Sequence, residues 1–197
     1  FGIIPQVIPY GADHVNFQPY SAYSSNLNLL EKGYAIAVMR IVPENNIEIL
    51  CTAAIASSIP IVIVGNWNVS EWSRDIYKKY QLDNDMLVLL DAVYEQQKID
   101  ELRANCKFYI HGHSKGGTNP SLIEAMYLGL PIIAHDNAFN RITTNGNAKF
   151  FDSAKKLNEH LDTTDEKVSL QLGSCARQHA QENYTWGNIR NRYRELF

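Results

Sequence analysis

Residues 34–65 have the sequence YAIAVMRIVPENNIEILCTAAIASSIPIVIVG, in which two apolar runs flank a segment with helical spacing. The runs 34–39 and 61–64 are almost continuously apolar, which is typical of strands buried on both faces of a parallel sheet. Between them, over 46–57, apolar residues recur at helical intervals, and Glu48 lies in the predicted first turn. The stretch therefore predicts a strand–helix–strand unit with a right-handed crossover.

The rest of the chain continues this alternation. Further strands are predicted at 86–90, 107–110, 131–134 and 148–151, and further helices at 72–80, 99–105, 120–128, 153–161, 165–181 and 185–197. The pattern predicts an α/β fold, a Rossmann-like parallel sheet of about six strands with helices on both faces. In such a sheet, ligands bind at the carboxyl ends of the strands, near the switch in strand order.

The first 30 residues have a different character. Residues 1–30 are rich in Pro, Tyr, Asn and Ser without a sustained period, which predicts a linker or an extended wrap before the regular domain at 31–197. The chain opens on Phe1-Gly2-Ile3, with neither an initiator methionine nor a charged and then apolar leader. We therefore expect a domain taken from a longer protein.

Composition argues against several classes of protein. The 18 basic and 21 acidic residues give a net charge of −3, which provides no basic face for nucleic acid and no polybasic membrane anchor. A hydrophobic content of 45% is too high for a disordered chain. The longest apolar run, 59–64, is far shorter than the ~20 residues of a membrane span. Three isolated cysteines favour a reduced, cytosolic protein without a disulfide framework.

The loop before the predicted helix 120–128 is the best candidate for chemistry. Its sequence HGHSKGGTNPS (residues 111–121) contains three glycines and two histidines. Asn119 is a favourable N-cap, and Pro120 suits the first helical position. Glycines permit close backbone approach, and the free N–H groups of a helix start favour an anion. Neither a Walker loop nor a G-x-G-x-x-G pattern is present, so the loop predicts another kind of anion site or, alternatively, a plain helix cap.

Several segments resemble one enzyme family. The run GGTNPSLIEAMYLGLPIIAHD (116–136) resembles the donor-binding segment of family 4 glycosyltransferases of GT-B fold. The longer string YIHGHSKGGTNPSLIEAM (109–126) is similar to a bacterial subgroup that includes rhamnosyltransferases of polysaccharide assembly. VIPYGAD (7–13) resembles the family's interlobe hinge strand, AVMRIVPENNIEIL (37–50) its phosphate-binding turn, and NYTWGNIRNRYRELF (183–197) its terminal helix.

The resemblance implies one lobe of a two-lobed enzyme. Residues 1–30 would be the interlobe hinge and 31–197 the nucleotide-sugar-binding domain, while the N-terminal acceptor lobe is missing from this chain. The implied reaction is retaining transfer of a sugar, of the hexosyltransferase type, from a dTDP- or UDP-linked donor. The acceptor would be a saccharide or a lipid-linked saccharide in bacterial polysaccharide synthesis. We expect this fragment alone to be inactive.

The resemblance also implies what the enzyme works with and where. It implies no cofactor and no required metal. It implies a cytoplasmic enzyme that meets the inner face of the membrane only through the missing lobe. Two alternatives stay open: a non-catalytic module that binds a nucleotide or sugar phosphate, and a GT-B nucleotide-sugar epimerase.

Individual site residues follow from the motif positions. Arg40 falls on the family's strand-end arginine, which pairs with the leaving diphosphate, and Glu124 falls on the second Glu of the Glu-x7-Glu motif, which accepts hydrogen bonds from ribose hydroxyls. These two are the candidate catalytic residues. The candidate donor-binding residues are Arg40, Asn45, Tyr94, His113, Lys115, Gly116, Gly117, Thr118, Asn119, Ser121 and Glu124.

Two of these positions depart from the family's pattern. Gly116 occupies the position of the motif's first Glu, so the usual carboxylate contact to the donor sugar is missing. Asn45 occupies the position of a lysine, so one charge partner of the diphosphate is missing, and we expect Lys115 to replace it in part. Both changes favour a less polar donor, such as a deoxysugar.

Other polar groups are weaker candidates. His111 and His113 lack a third metal ligand at useful spacing, which predicts no metal site. The Asp-x-Asp run at 83–85 precedes its strand, so a solvated turn is expected there. Tyr94 is expected against the nucleobase, Asn66 or Trp67 along the cleft, and His135-Asp136 toward the donor sugar. No Ser/His/Asp or Cys/His set occupies suitable loops, which argues against a hydrolase.

Overall fold

The computed structural model describes residues 7–81 and 85–196. Its centre is a six-stranded sheet with the strand order β3-β2-β1-β4-β5-β6, and each neighbouring pair is parallel. The strands are β1 (Ala35–Val38), β2 (Ile61–Val64), β3 (Leu87–Leu90), β4 (Phe108–His111), β5 (Ile132–His135) and β6 (Lys149–Phe151). The predicted Rossmann-like parallel sheet of about six strands is confirmed.

Helices connect and cover the strands. They are α1 (Ala22–Asn26), α2 (Ile47–Ile55), α3 (Glu71–Tyr80), α4 (Gln96–Ala104), α5 (Pro120–Tyr127), α6 (Ala138–Thr143), α7 (Ala154–Thr163), α8 (Glu166–Asn183) and α9 (Trp186–Arg194), with a 3-10 turn at Pro43–Asn45. The sequence pattern missed α1 and α6. Both are shorter than two turns, and Phe139 and Ile142 of α6 are exposed, so no apolar period marks that helix.

Alternate side chains of the central strands fill two cores on opposite faces of the sheet. From β1, Ile36 packs into one core, and Ala35 and Ala37 pack into the other. The first core also contains residues of α4, α5 and α8, and the second contains residues of α2, α3 and α7. Burial on both faces explains why the strands are continuously apolar in sequence.

The segment before the sheet is bound to α4 and to the end of α8 by hydrogen bonds. The Glu101 carboxylate accepts hydrogen bonds from the backbone N–H and hydroxyl groups of Ser21 and Ser24, at 2.7 to 3.1 Å. Ser21 caps α1. Near the start of the segment, Ala12 N–H donates to the Tyr184 carbonyl at 2.7 Å. Residues 7–30 thus wrap along the domain surface, and their assignment as an interlobe hinge stays a prediction.

Some predictions lie outside the described residues. These are the chain start at Phe1-Gly2-Ile3, most of the Asp-x-Asp run (Asp83 and Asn84) and the end of the terminal helix at Phe197. Within residues 7–81 and 85–196, no helix combines the length and the apolar character needed to cross a membrane.

Candidate functional site

A cleft of about 430 Å³ opens at the carboxyl ends of the central strands. It lies where β1 neighbours both β2 and β4, the point at which the strand order reverses and where parallel sheets bind ligands. Five segments line it: the end of β1, the end of β2 with the loop that follows, the loop after β3, the loop after β4 and the start of α5. The lining residues are Val38, Met39, Arg40, Ile41, Val64, Gly65, Asn66, Val69, Ala92, Val93, Tyr94, His113, Asn119, Pro120, Ser121 and Glu124.

The turn after β1 presents Arg40 to the cleft. Asn45 is buried, and its side-chain amide donates to the Arg40 carbonyl at 2.7 Å. Asn46, in a left-handed conformation with φ 53°, donates to the Gly112 carbonyl at 2.8 Å. These bonds fold the turn back onto β4 and fix the backbone that carries Arg40. Within residues 7–81 and 85–196, the Arg40 guanidinium forms no ion pair with a carboxylate.

Asn45 lies apart from the donor-binding candidates that line the cleft. It does not line the cleft, and its amide hydrogen bond is directed at the backbone behind Arg40. The prediction of direct donor binding by Asn45 stays a prediction. In the structure, the Asn45 side chain supports the turn that carries Arg40.

The glycine-rich loop leads into a well-capped α5. The Asn119 carboxamide oxygen accepts hydrogen bonds from the Ser121 N–H at 3.0 Å and from the Ser121 hydroxyl at 2.8 Å. Pro120 occupies the first helical position, as predicted. Gly116 has φ +103°, a conformation that favours glycine. Residues 115–118 (Lys115, Gly116, Gly117 and Thr118) lie outside the set that lines the cleft, so their donor contacts stay predictions.

Glu124 lies on the first turns of α5, with its carboxylate at the edge of the cleft. Its side chain is 14% exposed, and Oε2 lies 2.5 Å from Nη2 of Arg103 on α4. The other oxygen, Oε1, lies 3.2 Å from Nε2 of His14. The motif in the sequence indicates Glu124 but neither of its partners. They come from distant segments, and nothing in the local pattern around either residue indicates the contact.

His113 lines the cleft together with Arg40. It is buried, and burial, together with the positive charge of Arg40, lowers its pKa to about 4. Its ring is therefore neutral near pH 7, and a neutral imidazole has one N–H donor and one acceptor. Asn137 and Asn140 each donate to the His113 carbonyl at 2.9 Å, which fixes the backbone at this position. In the described part of the chain, no group of three or more His, Cys, Asp or Glu residues has a metal-binding arrangement.

The remaining candidates divide between the cleft and its surroundings. Tyr94, 86% exposed, and Asn66 line the cleft. Trp67 is buried, and its indole N–H donates to the Leu90 carbonyl at 2.9 Å, outside the cleft lining. His135 and Asp136 also lie outside that lining, and Asp136 forms a two-point ion pair with Arg141 at 2.6 and 2.8 Å.

Residues 22–166 match the model of a protein family described as glycosyl transferases group 1. The chain belongs to this family. The prediction from the segments at 109–136 is thereby confirmed at the level of the family. No curated protein matches the sequence of this glycosyl transferase domain significantly.

Solved structures of other proteins share the fold of the glycosyl transferase domain. Sucrose-phosphate synthase from Thermosynechococcus elongatus matches with a TM-score of 0.77 and 19% identity over 98% of this chain and 52% of its own. HepE of Anabaena, in complex with UDP-glucose, matches with a TM-score of 0.79 and 16% identity over 95% of this chain and 55% of its own.

A third similar structure is that of a single domain. The C-terminal domain of a glycosyl transferase group 1 family protein, LpcC from Francisella tularensis, matches with a TM-score of 0.65 and 16% identity over 91% of this chain and 97% of that domain. The chain thus spans about half the length of the synthase and of HepE. At these identities the likeness establishes the fold, a GT-B glycosyltransferase lobe.

Proposed function

We propose that this domain binds the nucleotide-diphosphate sugar in a two-lobed retaining glycosyltransferase. The single observation that carries the proposal is the joint placement of Arg40, His113, Asn119 and Glu124 around one cleft at the switch point of the sheet. Its volume, about 430 Å³, lies in the range of small-molecule sites. The solved complexes of HepE with UDP and with UDP-glucose support this type of ligand.

The nucleoside is assigned to the side of the cleft formed by α5 and the loop after β3. An ionised carboxylate only accepts hydrogen bonds, so Glu124 suits the free hydroxyls of the nucleotide's sugar, which number two in UDP and one in dTDP. The exposed ring of Tyr94 provides a face for the base. We assign a uracil or thymine base, and therefore a UDP- or dTDP-linked donor.

The diphosphate is assigned to the side formed by Arg40 and His113. During transfer, the bond between the anomeric carbon and the β-phosphate oxygen breaks, and a bond from that carbon to an acceptor hydroxyl oxygen forms. The hydroxyl proton leaves with the departing diphosphate. Negative charge on the leaving group increases toward the transition state, where Arg40 stabilises it. Arg40 supplies a positive charge and the dipole of α5 a partial one, while the N–H groups of residues 121–123 are already bonded to Asn119. We propose transfer without a required metal.

The proposal extends to the donor sugar and the acceptor. A Cβ added at Gly116 would meet no atom within 4 Å, so the position of the missing carboxylate is open. We propose a sugar of low polarity there, such as a deoxyhexose. A saccharide or lipid-linked saccharide acceptor would be held by the other lobe, in a cytoplasmic enzyme of bacterial polysaccharide synthesis.

The test compares this chain with the full-length protein. Calorimetry with UDP, dTDP and pyrophosphate measures nucleotide binding by the chain, and labelled nucleotide sugars measure transfer. We expect the chain to bind a nucleotide and to transfer nothing, because half a cleft cannot orient the acceptor hydroxyl. The full-length protein should transfer sugar. Absence of binding at millimolar nucleotide would contradict the proposal. Binding without transfer by the full-length protein would favour a binding module, and conversion of the donor without an acceptor would favour an epimerase.

A further inference from the structure

We propose that Arg103 and His14 are positioning residues that orient the Glu124 carboxylate for the ribose of the nucleotide. This inference rests on the proposed function, because it assigns the ribose to Glu124. It adds two residues that lie outside the cleft lining and outside the motif segments. They act through Glu124, and neither is assigned a contact with substrate.

The first support is the guanidinium of Arg103. Its side chain is 5% exposed, and Nη2 lies 2.5 Å from Oε2 of Glu124. Asp100 precedes it by one turn of α4 and places Oδ1 3.8 Å from Nη1. Asp100 is itself held by the Asn16 N–H at 3.1 Å and by the Gln96 amide at 2.9 Å. The guanidinium is thus buried between two carboxylates, Asp100 at ion-pair distance and Glu124 in close contact, and burial limits the orientations in which this planar group can meet Glu124.

The second support is the ring of His14. The indole N–H of Trp186 can only donate, and it lies 3.3 Å from Nδ1 of His14. Nδ1 is therefore the acceptor, and the hydrogen of the neutral ring is on Nε2, which donates to Oε1 of Glu124. The Trp186 backbone N–H in turn donates to Asp13 at 2.7 Å, which fixes the start of α9 against the N-terminal segment.

Together the two contacts hold the carboxylate from two sides. Oε1 of Glu124 accepts a hydrogen bond from His14 and Oε2 forms an ion pair with Arg103, while a carboxylate has about four acceptor positions. Two positions therefore remain for the two hydroxyls of a ribose. The Glu124 side chain is already ordered before a nucleotide arrives, so binding does not have to restrict its rotamers. The N-terminal segment and α9 thereby influence nucleotide affinity without touching the nucleotide.

The test compares ligands with and without ribose hydroxyls. Binding of UDP and of 2′,3′-dideoxy-UDP is measured for the chain and for Arg103→Met, Arg103→Lys and His14→Phe. Arg103→Met should weaken UDP by about tenfold, the equivalent of one hydrogen bond to a charged group, and leave dideoxy-UDP unchanged. Arg103→Lys should recover part of the loss, and His14→Phe should show a smaller loss confined to UDP.

Controls separate positioning from folding. Lys79→Met removes an exposed ion pair with Glu48 outside the cleft and should change neither affinity. Should Arg103→Met fail to fold, as judged by circular dichroism, His14→Phe decides the question, since His14 is partly exposed. Equal losses for both ligands, or no loss for UDP, would overturn the inference and leave the proposed function standing. A chain that binds neither UDP nor dTDP would overturn both.

Discussion

The imidazole rings of His111 and His113 lie face to face, with their centroids 4.3 Å apart and their planes 9° apart. His111 ends β4 and is fully buried, while His113 follows two residues later and lines the cleft. Within the described residues, neither ring nitrogen of His111 has a hydrogen-bond partner. Burial, with a further contribution from His113, lowers the pKa of His111 well below 6.5. Two uncharged rings therefore lie against each other beside the proposed diphosphate position.

Burial of His113 beside the charge of Arg40 predicts a loss of stability in acid. The pKa of His113 is near 6.5 in the unfolded chain and about 4 in the folded chain. Between these pH values, His113 is protonated in the unfolded chain and neutral in the folded chain. The contribution of His113 to the free energy of unfolding is therefore complete above about pH 6.5 and decreases as the pH falls toward about 4. From about pH 7.5 to about pH 4.5, the unfolding free energy of wild type should fall by about 2 kcal/mol more than that of His113→Asn. Urea unfolding at both pH values measures this difference. A difference that does not change with pH would contradict the prediction.

Arg40→Ala should weaken UDP and pyrophosphate to a similar extent. Arg40 lines the cleft without a carboxylate partner in the described residues, so its charge is available to an anion. A charge-assisted contact to phosphate is consistent with a loss of about tenfold in affinity. Calorimetry at low and high salt measures the effect, and salt should weaken wild type more than the variant. Lys155→Ala, an exposed cation on α7, is the control. A loss confined to UDP would place Arg40 away from the diphosphate.

Glu124→Ala should weaken UDP far more than pyrophosphate, because its proposed partner is the ribose. The variant also leaves Arg103 without its nearest carboxylate, so we expect a lower melting temperature, by several degrees, in the absence of ligand. Glu124→Gln keeps one acceptor oxygen and should show smaller effects on both properties. Titration of each variant with UDP and with pyrophosphate measures the two affinities. Equal losses for the two ligands would contradict the assignment of ribose to this residue.

Gly112→Ala should destabilise the fold. A Cβ at this position would overlap the carbonyl oxygen of Asn45, in the turn that carries Arg40. Overpacking of this kind costs about 1 to 3 kcal/mol, and we expect weaker pyrophosphate binding because the turn must move. Gly117→Ala is the matched control, since an added Cβ there would meet no atom within 4 Å. Thermal unfolding of both variants measures the effect. Equal melting temperatures would show that the turn accommodates the methyl group.

Much of the fold follows from local sequence. The apolar runs at 34–39 and 61–64 predict buried parallel strands, because a strand covered on both faces has no polar side to alternate. Asn119 and Pro120 mark the start of α5 through the capping chemistry of a helix start. The segments at 109–136 were sufficient to predict the family. All of these are signals between residues close in sequence.

Only the tertiary structure decided how the site is supported. His14 and Glu124 are 110 residues apart, and Arg103 reaches the same carboxylate from α4. Periodicity reports which face of an element is buried and does not report which distant polar group it meets. Such pairs depend on the order of the strands and on the placement of the helices that cover them. The same reason applies to Asn45. The motif predicts that it binds the donor, but its buried amide lies behind Arg40 and donates to the Arg40 carbonyl.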